Sequence, residues 1–310
     1  MKAPIIEVRK LTKSFGKHTV LNEIDLSIPP DMIFGIIGES GSGKTTLLKS
    51  IIGFIPPEEG GILFEGRDVM RNMRNIRERF GFASQENCFY PKLTIVENLR
   101  FFGTLYGMQK PAVEQNIKKL LKLVELEDAG NVLGENLSSG MQRRLDIACS
   151  LIHNPKIIIM DEPTQDLDPV LRKEILSLIR KIKEEGTTVI MTSHLLHEAE
   201  AVCDEIAILH KGKVLEVGTP DQLKKMYSTN DEIHLETTPG RYDLIVKQLR
   251  EEKDIVKVQV RKHKLILFTP KAEKMLHKLL HVLERTKEDL VDVYVRKPTL
   301  SEVFEKLVKE

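Results

Sequence analysis

The apolar run Ile33 to Ile37, the loop Gly38-Glu-Ser-Gly-Ser-Gly-Lys-Thr45 and the stretch Thr46-Leu-Leu-Lys-Ser-Ile-Ile52 constrain this chain more than any other segment. Five apolar residues in a row read as a buried strand, and the residues behind the loop have helical spacing. Strand, loop and helix start form the setting in which G-x-x-x-x-G-K-[ST] cradles phosphates. Glycines at 38, 41 and 43 let the main chain curl so that successive N–H groups point at phosphate oxygens, with the partial positive charge of the helix N-terminus behind them. Ser40, Ser42 and Thr46 belong to the same cradle. Lys44 is placed to reach the β- and γ-phosphates, and the Thr45 hydroxyl to ligate Mg²⁺. A nucleoside triphosphate is the ligand these residues predict.

A second chemical signal is Ile157-Ile-Ile-Met-Asp161-Glu162, two carboxylates at the end of an apolar strand, where a parallel sheet exposes its functional edge. Asp161 is expected to hold Mg²⁺ through its water shell. Glu162 is expected to orient or deprotonate an attacking water.

Around these motifs the spacing is that of an α/β core. Ile5 to Ile28 reads as an antiparallel edge subdomain with a turn at Gly16-Lys17. Residues 87–154 turn helical, with candidates at Val96 to Tyr106, Ala112 to Glu125 and Ser139 to Asn154. The β/α rhythm returns with strand Ile157 to Met160, helix Val170 to Glu185, strand Thr188 to Thr192 and a hairpin of Ile206 to Leu209 with Val214 to Val217. A first domain, 1–227, is expected to close near Tyr227. Residues 228–310 then read as strand Glu232 to Thr237, helix Tyr242 to Glu252, strands Ile255 to Arg261 and Lys264 to Phe268, helix Ala272 to Thr286 and strand Val291 to Arg296. That βαββαβ order predicts a C-terminal ferredoxin-like α+β domain, with a last helix Leu300 to Val308.

At 310 residues, 41% hydrophobic and 30% charged, the chain can bury a core large enough for two such domains. Its net charge of +1 supplies no field for a polyanion, so no nucleic-acid partner is expected. The start of the chain carries no apolar leader, and no apolar run approaches the roughly 18 residues of a membrane span. Cys88, Cys149 and Cys203 are odd in number and lack C-x-x-C spacing, which fits a reducing cytoplasm rather than a disulfide framework or a zinc site.

One further motif selects a family. Leu137-Ser138-Ser139-Gly140-Met141-Gln142-Arg143-Arg144 opens a helix shortly before the Asp161-Glu162 strand and resembles the signature motif of ABC transporter ATPases. The usual form is L-S-G-G-Q, from which Ser139 and Met141 depart at the third and fifth positions. The resemblance implies a P-loop NTPase of the ABC ATPase kind, with a dimer in which Ser138 and Gly140 of one subunit cap the ATP held by the other, Ser139 and Met141 lying in the same turn. It further implies Phe15 and Val20 against the adenine, Gln85 at Mg²⁺ and the attacking water, and His194 at the γ-phosphate. Thr164-Gln165-Asp166-Leu167-Asp168 matches the loop that crosses the dimer interface, with Gln165 and Asp166 replacing the usual Ser and Gly or Ala.

Near the C-terminus, Lys297-Pro298-Thr299-Leu300-Ser301-Glu302-Val303-Phe304-Glu305-Lys306-Leu307 is similar to the ending of exporter ATPases whose membrane subunits are separate polypeptides. The resemblances together imply a cytoplasmic ATPase, peripheral on the inner face of the membrane. They also imply a second ATPase subunit, with a homodimer the simpler arrangement because one chain carries both halves of the composite site. Glu86 to Leu99 is the expected docking surface for a transmembrane permease subunit, with Phe89, Tyr90 and Leu93 as candidate contacts. A non-transport ABC ATPase and a regulatory ATP-binding module are the alternatives.

Overall fold

Short, fully buried strands build the central sheet. Ile33–Ile37, Ile157–Met160 and Thr188–Ser193 show water no residue that is even half-exposed, because a parallel sheet is covered on both faces. The computed structural model describes residues 3–227, 230–249, 252–261 and 263–309. In the six-stranded sheet the order is Lys213–Gly218, Glu205–His210, Ile33–Ile37, Thr188–Ser193, Ile157–Met160, Phe80–Ala83. Every neighbouring pair is parallel except the hairpin at the Lys213–Gly218 edge. Parallel strands end on one side, so the loops beginning at Gly38, Ser84, Asp161 and His194 all leave the same edge.

A four-stranded antiparallel sheet, ordered His18–Ile28, Ile6–Phe15, Glu59–Phe64, Arg67–Asp68, faces the central sheet. Ile6, Leu11 and Ile24 from one sheet, Phe34, Ile159 and Ile190 from the other, and Leu47, Leu48 and Ile51 from the helix Lys44–Ile51 share one apolar core. The predicted helices form at Ile95–Leu105, Lys110–Leu123 and Ser139–Leu151. Thr94 and Glu97 form a reciprocal capping box at the first of these.

Two strands longer than two residues escaped the sequence reading, Glu59–Phe64 and Phe80–Ala83. Glycines interrupt the apolar pattern in both. At Gly81 the reason is packing, since a Cβ there would lie 2.2 Å from the Ser150 carbonyl oxygen.

The chain divides into two units, Met1–Pro220 and Asp221–Glu310. The helix Pro220–Tyr227, unpredicted, thus starts at the division, several residues before the expected boundary at Tyr227; Ser228 and Thr229 lie outside the described residues. In the second unit the antiparallel sheet is ordered Lys257–Arg261, Lys264–Thr269, Asp231–Thr238, Asp289–Arg296. Helices Tyr242–Leu249 and Ala272–Thr286 cover one face, where Ile233, Leu235, Leu265 and Leu267 meet Ile245, Leu249, Met275 and Leu279. The first of these helices was expected to reach Glu252, but residues 250 and 251 lie outside the described residues. The last helix is Leu300–Lys309.

Glu288 ties this unit together. Its side chain is inaccessible and accepts from the Thr237 hydroxyl at 2.9 Å, the Gly240 amide at 2.8 Å, the Arg241 amide at 3.1 Å and Arg241 Nε at 2.9 Å. Burial opposes its ionisation, but the Arg241 guanidinium and these hydrogen bonds outweigh burial and hold the carboxyl at about 2. A pKa depressed on folding stabilises above the ordinary value of 4.5, and that contribution fades as the pH falls toward 2. Glu288→Gln is therefore expected to lower stability by roughly 1.5–3 kcal/mol near neutral pH. The difference from the parent should shrink below about pH 4. Thermal unfolding followed by circular dichroism at both pH values checks this, and a gap independent of pH contradicts it.

Candidate active site

The loop after Ile37 turns through two left-handed glycines, Gly41 at φ 80° and Gly43 at φ 106°, and Gly43 caps the helix Lys44–Ile51. A side chain at Gly38 is excluded by the Leu209 carbonyl oxygen, which would lie 2.2 Å from its Cβ. Lys44 is buried; its ammonium folds back on the loop, donating to the carbonyls of Gly38 at 3.0 Å and Glu39 at 3.1 Å. Ser42 Oγ is buried without a hydrogen-bond partner among the described residues.

Asp161, 2% exposed, joins three neighbouring segments. One of its oxygens accepts from the Thr45 hydroxyl at 2.7 Å and the other from the Thr192 hydroxyl at 2.6 Å. Thr192 Oγ1 also accepts from the Glu162 amide at 2.9 Å. Glu162 sits at φ 48°, a left-handed conformation uncommon outside glycine. Its carboxylate is thereby turned toward the loop, 3.5 Å from Lys44 Nζ and 2.8 Å from His194 Nδ1.

The resulting cleft has a volume of about 560 Å³ and is lined by Val20, Ser40, Gly41, Gly43, Lys44, Thr45, Thr46, Gln85, Glu162, Gln165 and His194. Gln85 donates to the side-chain oxygen of Gln165 at 2.7 Å, so Gln165 is engaged within its own chain. Among the described residues no group of three or more His, Cys, Asp and Glu is arranged to hold a metal ion by itself.

Several predicted residues stand apart from the cleft lining. Phe15, 52% exposed, ends the strand Ile6–Phe15 with Lys13 Nζ 5.3 Å from its ring centre. Ser138 caps the helix Ser139–Leu151, accepting from the Met141 amide. Ser139 is exposed and Met141 half-buried, while Gly140 packs against Leu171, whose methyl would lie 2.7 Å from an added Cβ. Asp168 caps the helix Pro169–Glu184 by accepting from the amides of Val170 at 2.8 Å and Leu171 at 3.0 Å. Of the expected docking residues, Tyr90 is exposed and Leu93 half-buried, but Phe89 is buried against Gly134 and presents little surface.

Three contributors went unassigned in the sequence. Thr192 is the hydroxyl two positions before His194, where its strand passes the acidic one. Gln165 was noted only as a departure from the interface loop. Arg143 stands in the signature motif with no role of its own there, whereas it is buried and donates to the carbonyls of Asp161, Glu162 and Pro163.

A family model described as "ABC transporter" matches residues 21–165. Linearmycin resistance ATP-binding protein LnrL of Bacillus subtilis is 31% identical over 302 residues, 97% of this chain and 97% of that protein. This chain belongs to the ABC transporter ATP-binding proteins. Nod factor export ATP-binding protein I of Cupriavidus metallidurans is 33% identical over 71% of this chain and 72% of its own length. "Probable multidrug ABC transporter ATP-binding protein YbhF" of Escherichia coli is 36% identical over 74% of this chain, a match that spans only 39% of that longer protein. Among solved structures, an ATP-binding cassette captured as a dimer in a post-hydrolysis state with ADP and Pi aligns with TM-score 0.62 and 29% identity over 69% of this chain and 98% of its own. An ATP-binding subunit of an ABC transporter aligns with TM-score 0.65 and 29% identity over 72% of this chain and 93% of its own.

Thr192→Val keeps the shape of the side chain but removes a donor to Asp161 and the acceptor of the Glu162 amide. Leaving those groups short of partners is expected to cost roughly 1–3 kcal/mol. Urea unfolding measures it; a midpoint equal to the parent's contradicts the role given to Thr192.

Proposed function

We propose that this chain is the ATP-binding and ATP-hydrolysing subunit of an exporter, working as a dimer on a separate transmembrane subunit. The observation that carries the reading is the convergence of Lys44, Glu162, His194 and Gln85 on one cleft floored by the glycine loop. Phosphate oxygens outcompete the loop carbonyls for the Lys44 ammonium and give the unpartnered Ser42 hydroxyl an acceptor. The exposed Phe15 ring and Val20 are the surfaces for the adenine. Thr45, Asp161 and Gln85 are the residues to hold Mg²⁺, and one buried carboxylate beside a hydroxyl fits an ion that takes its remaining ligands from water and substrate. When bound, Mg²⁺ supplies neutralisation of phosphate charge.

Glu162 is the base. Held between Lys44 and His194, it orients the water and accepts its proton. The water oxygen bonds to the γ-phosphorus as the bond to the β–γ bridging oxygen breaks and ADP leaves. Lys44 and the loop amides offset the charge on the phosphates, and positioning supplies most of the rate.

Ser138 to Met141 do not line the cleft of their own chain, which supports their assignment to the nucleotide of a second copy. Asp168 is reassigned to capping the helix that backs this region. For the membrane partner, the surface extends past Leu99: Tyr90, Phe101 and Phe102 stack edge-on or tilted, and Leu105 is 69% exposed. Among the described residues no helix is long and apolar enough to cross a membrane. The likeness to ABC transporter ATP-binding proteins supports a place at the cytoplasmic face, with the span in the partner. Relatives named for multidrug transport, linearmycin resistance and Nod factor export favour export. The strand order of the second unit supports a ferredoxin-like domain there.

Glu162→Gln is expected to keep ATP affinity while turnover falls by roughly 10² or more. Nucleotide titration beside phosphate release tests both halves, and turnover near the parent's rate would remove Glu162 from its role.

A further inference from the structure

The guanidinium of Arg143 is buried, 6% exposed, and each of its nitrogens is engaged. Nε donates to the Pro163 carbonyl at 2.9 Å, and Nη2 to those of Asp161 and Glu162 at 3.3 Å each. Nη1 donates to the Ser84 carbonyl at 2.6 Å and to Asp146 Oδ2 at 3.4 Å. Asp146, 0% exposed, supplies the countercharge, and its other oxygen accepts from the Cys88 amide at 2.8 Å. One side chain on the helix Ser139–Leu151 therefore grips three consecutive carbonyls around Glu162 and the carbonyl immediately before Gln85.

That grip coincides with a strained point. A non-glycine residue held in the left-handed region costs of order 1–3 kcal/mol and persists only where its surroundings over-determine it. At Glu162 the surroundings are the Thr192 hydroxyl on the amide side and Arg143 on the carbonyl side. Released from either, the backbone relaxes and the carboxylate leaves its place between Lys44 and His194. We propose that Arg143 is a positioning residue for hydrolysis: its planar fork, neutralised by Asp146, fixes the left-handed turn that aims Glu162 into the cleft and ties the Gln85 loop to the same frame. The proposal rests on the reading of Glu162 as the base. A lysine cannot reproduce the clamp, because one ammonium has neither the planar geometry nor enough donors for four separated carbonyls. The clamped helix begins at Ser138 to Met141, so its displacement by a second copy would be felt at Glu162 and Gln85 together.

The test is steady-state ATP hydrolysis by the full chain with Mg²⁺, comparing the parent, Arg143→Lys, Glu162→Gln and the double variant, with ATP affinity measured in parallel. The clamp predicts that Arg143→Lys lowers kcat by about 10- to 100-fold with KM and ATP affinity within about two-fold of the parent. In the Glu162→Gln background the same change should add less than about two-fold, since Arg143 acts through Glu162. If Arg143→Lys does not fold, Asp146→Asn serves instead. It retains the carbonyl bonds but loses the countercharge, and is expected to lower kcat by about 3- to 10-fold with the same dependence on Glu162. A Glu162-dependent rate that these variants leave intact overturns the clamp alone. So does an equal loss in both backgrounds, or a rise in KM at constant kcat. Hydrolysis unaffected by Glu162→Gln overturns the reading of the base, and the clamp with it.

Discussion

A single buried carboxylate organises the nucleotide side of this molecule. Asp161 is withdrawn from water, and a charge so placed is tolerable only with donors on its oxygens. Those donors are hydroxyls from the two flanking elements, Thr45 at the start of the phosphate-loop helix and Thr192 near the end of the strand Thr188–Ser193. The bonds fix the relative depth of three loops that parallel strands deliver to one edge. Thr192 carries the constraint one residue further by accepting the Glu162 amide. The left-handed turn at Glu162, its proximity to Lys44 and its bond to His194 are consequences of that joint.

Much of this was legible in the sequence wherever the information was local. Ile33–Ile37 and Ile157–Met160 are uninterrupted apolar runs, and the glycine loop between strand and helix declares its own conformation. What the sequence hid was set by distant partners. Phe80–Ala83 was missed because Gly81 answers to the Ser150 carbonyl rather than to strand propensity. Phe89 and Tyr90 are adjacent aromatics with nothing local to tell the buried one from the exposed one. Asp168 fits the interface-loop pattern, yet its carboxylate is engaged by its own helix start. Arg143 looks like surface charge in a basic run, and only its bonds to residues 18 to 59 positions away reveal a buried clamp.

The signature helix combines two demands that sequence alone presents as one. Gly140 must stay small for Leu171 within the chain, and the exposed Ser138 and Ser139 at the same turn remain free to face a second molecule. The departure at Ser139 is accommodated on the exposed side of that turn, while the departure at Gln165 is absorbed by a bond to Gln85 inside the chain. In the proposed dimer the two halves of a composite site, apart in one copy, would complement each other between two.

The most direct test of that account is the mass of Glu162→Gln protein by light scattering with and without Mg-ATP, beside the same protein also carrying Ser138→Arg. Doubling of the mass on ATP addition, abolished by Ser138→Arg, is the predicted result. A Glu162→Gln protein that binds ATP and stays monomeric would contradict it.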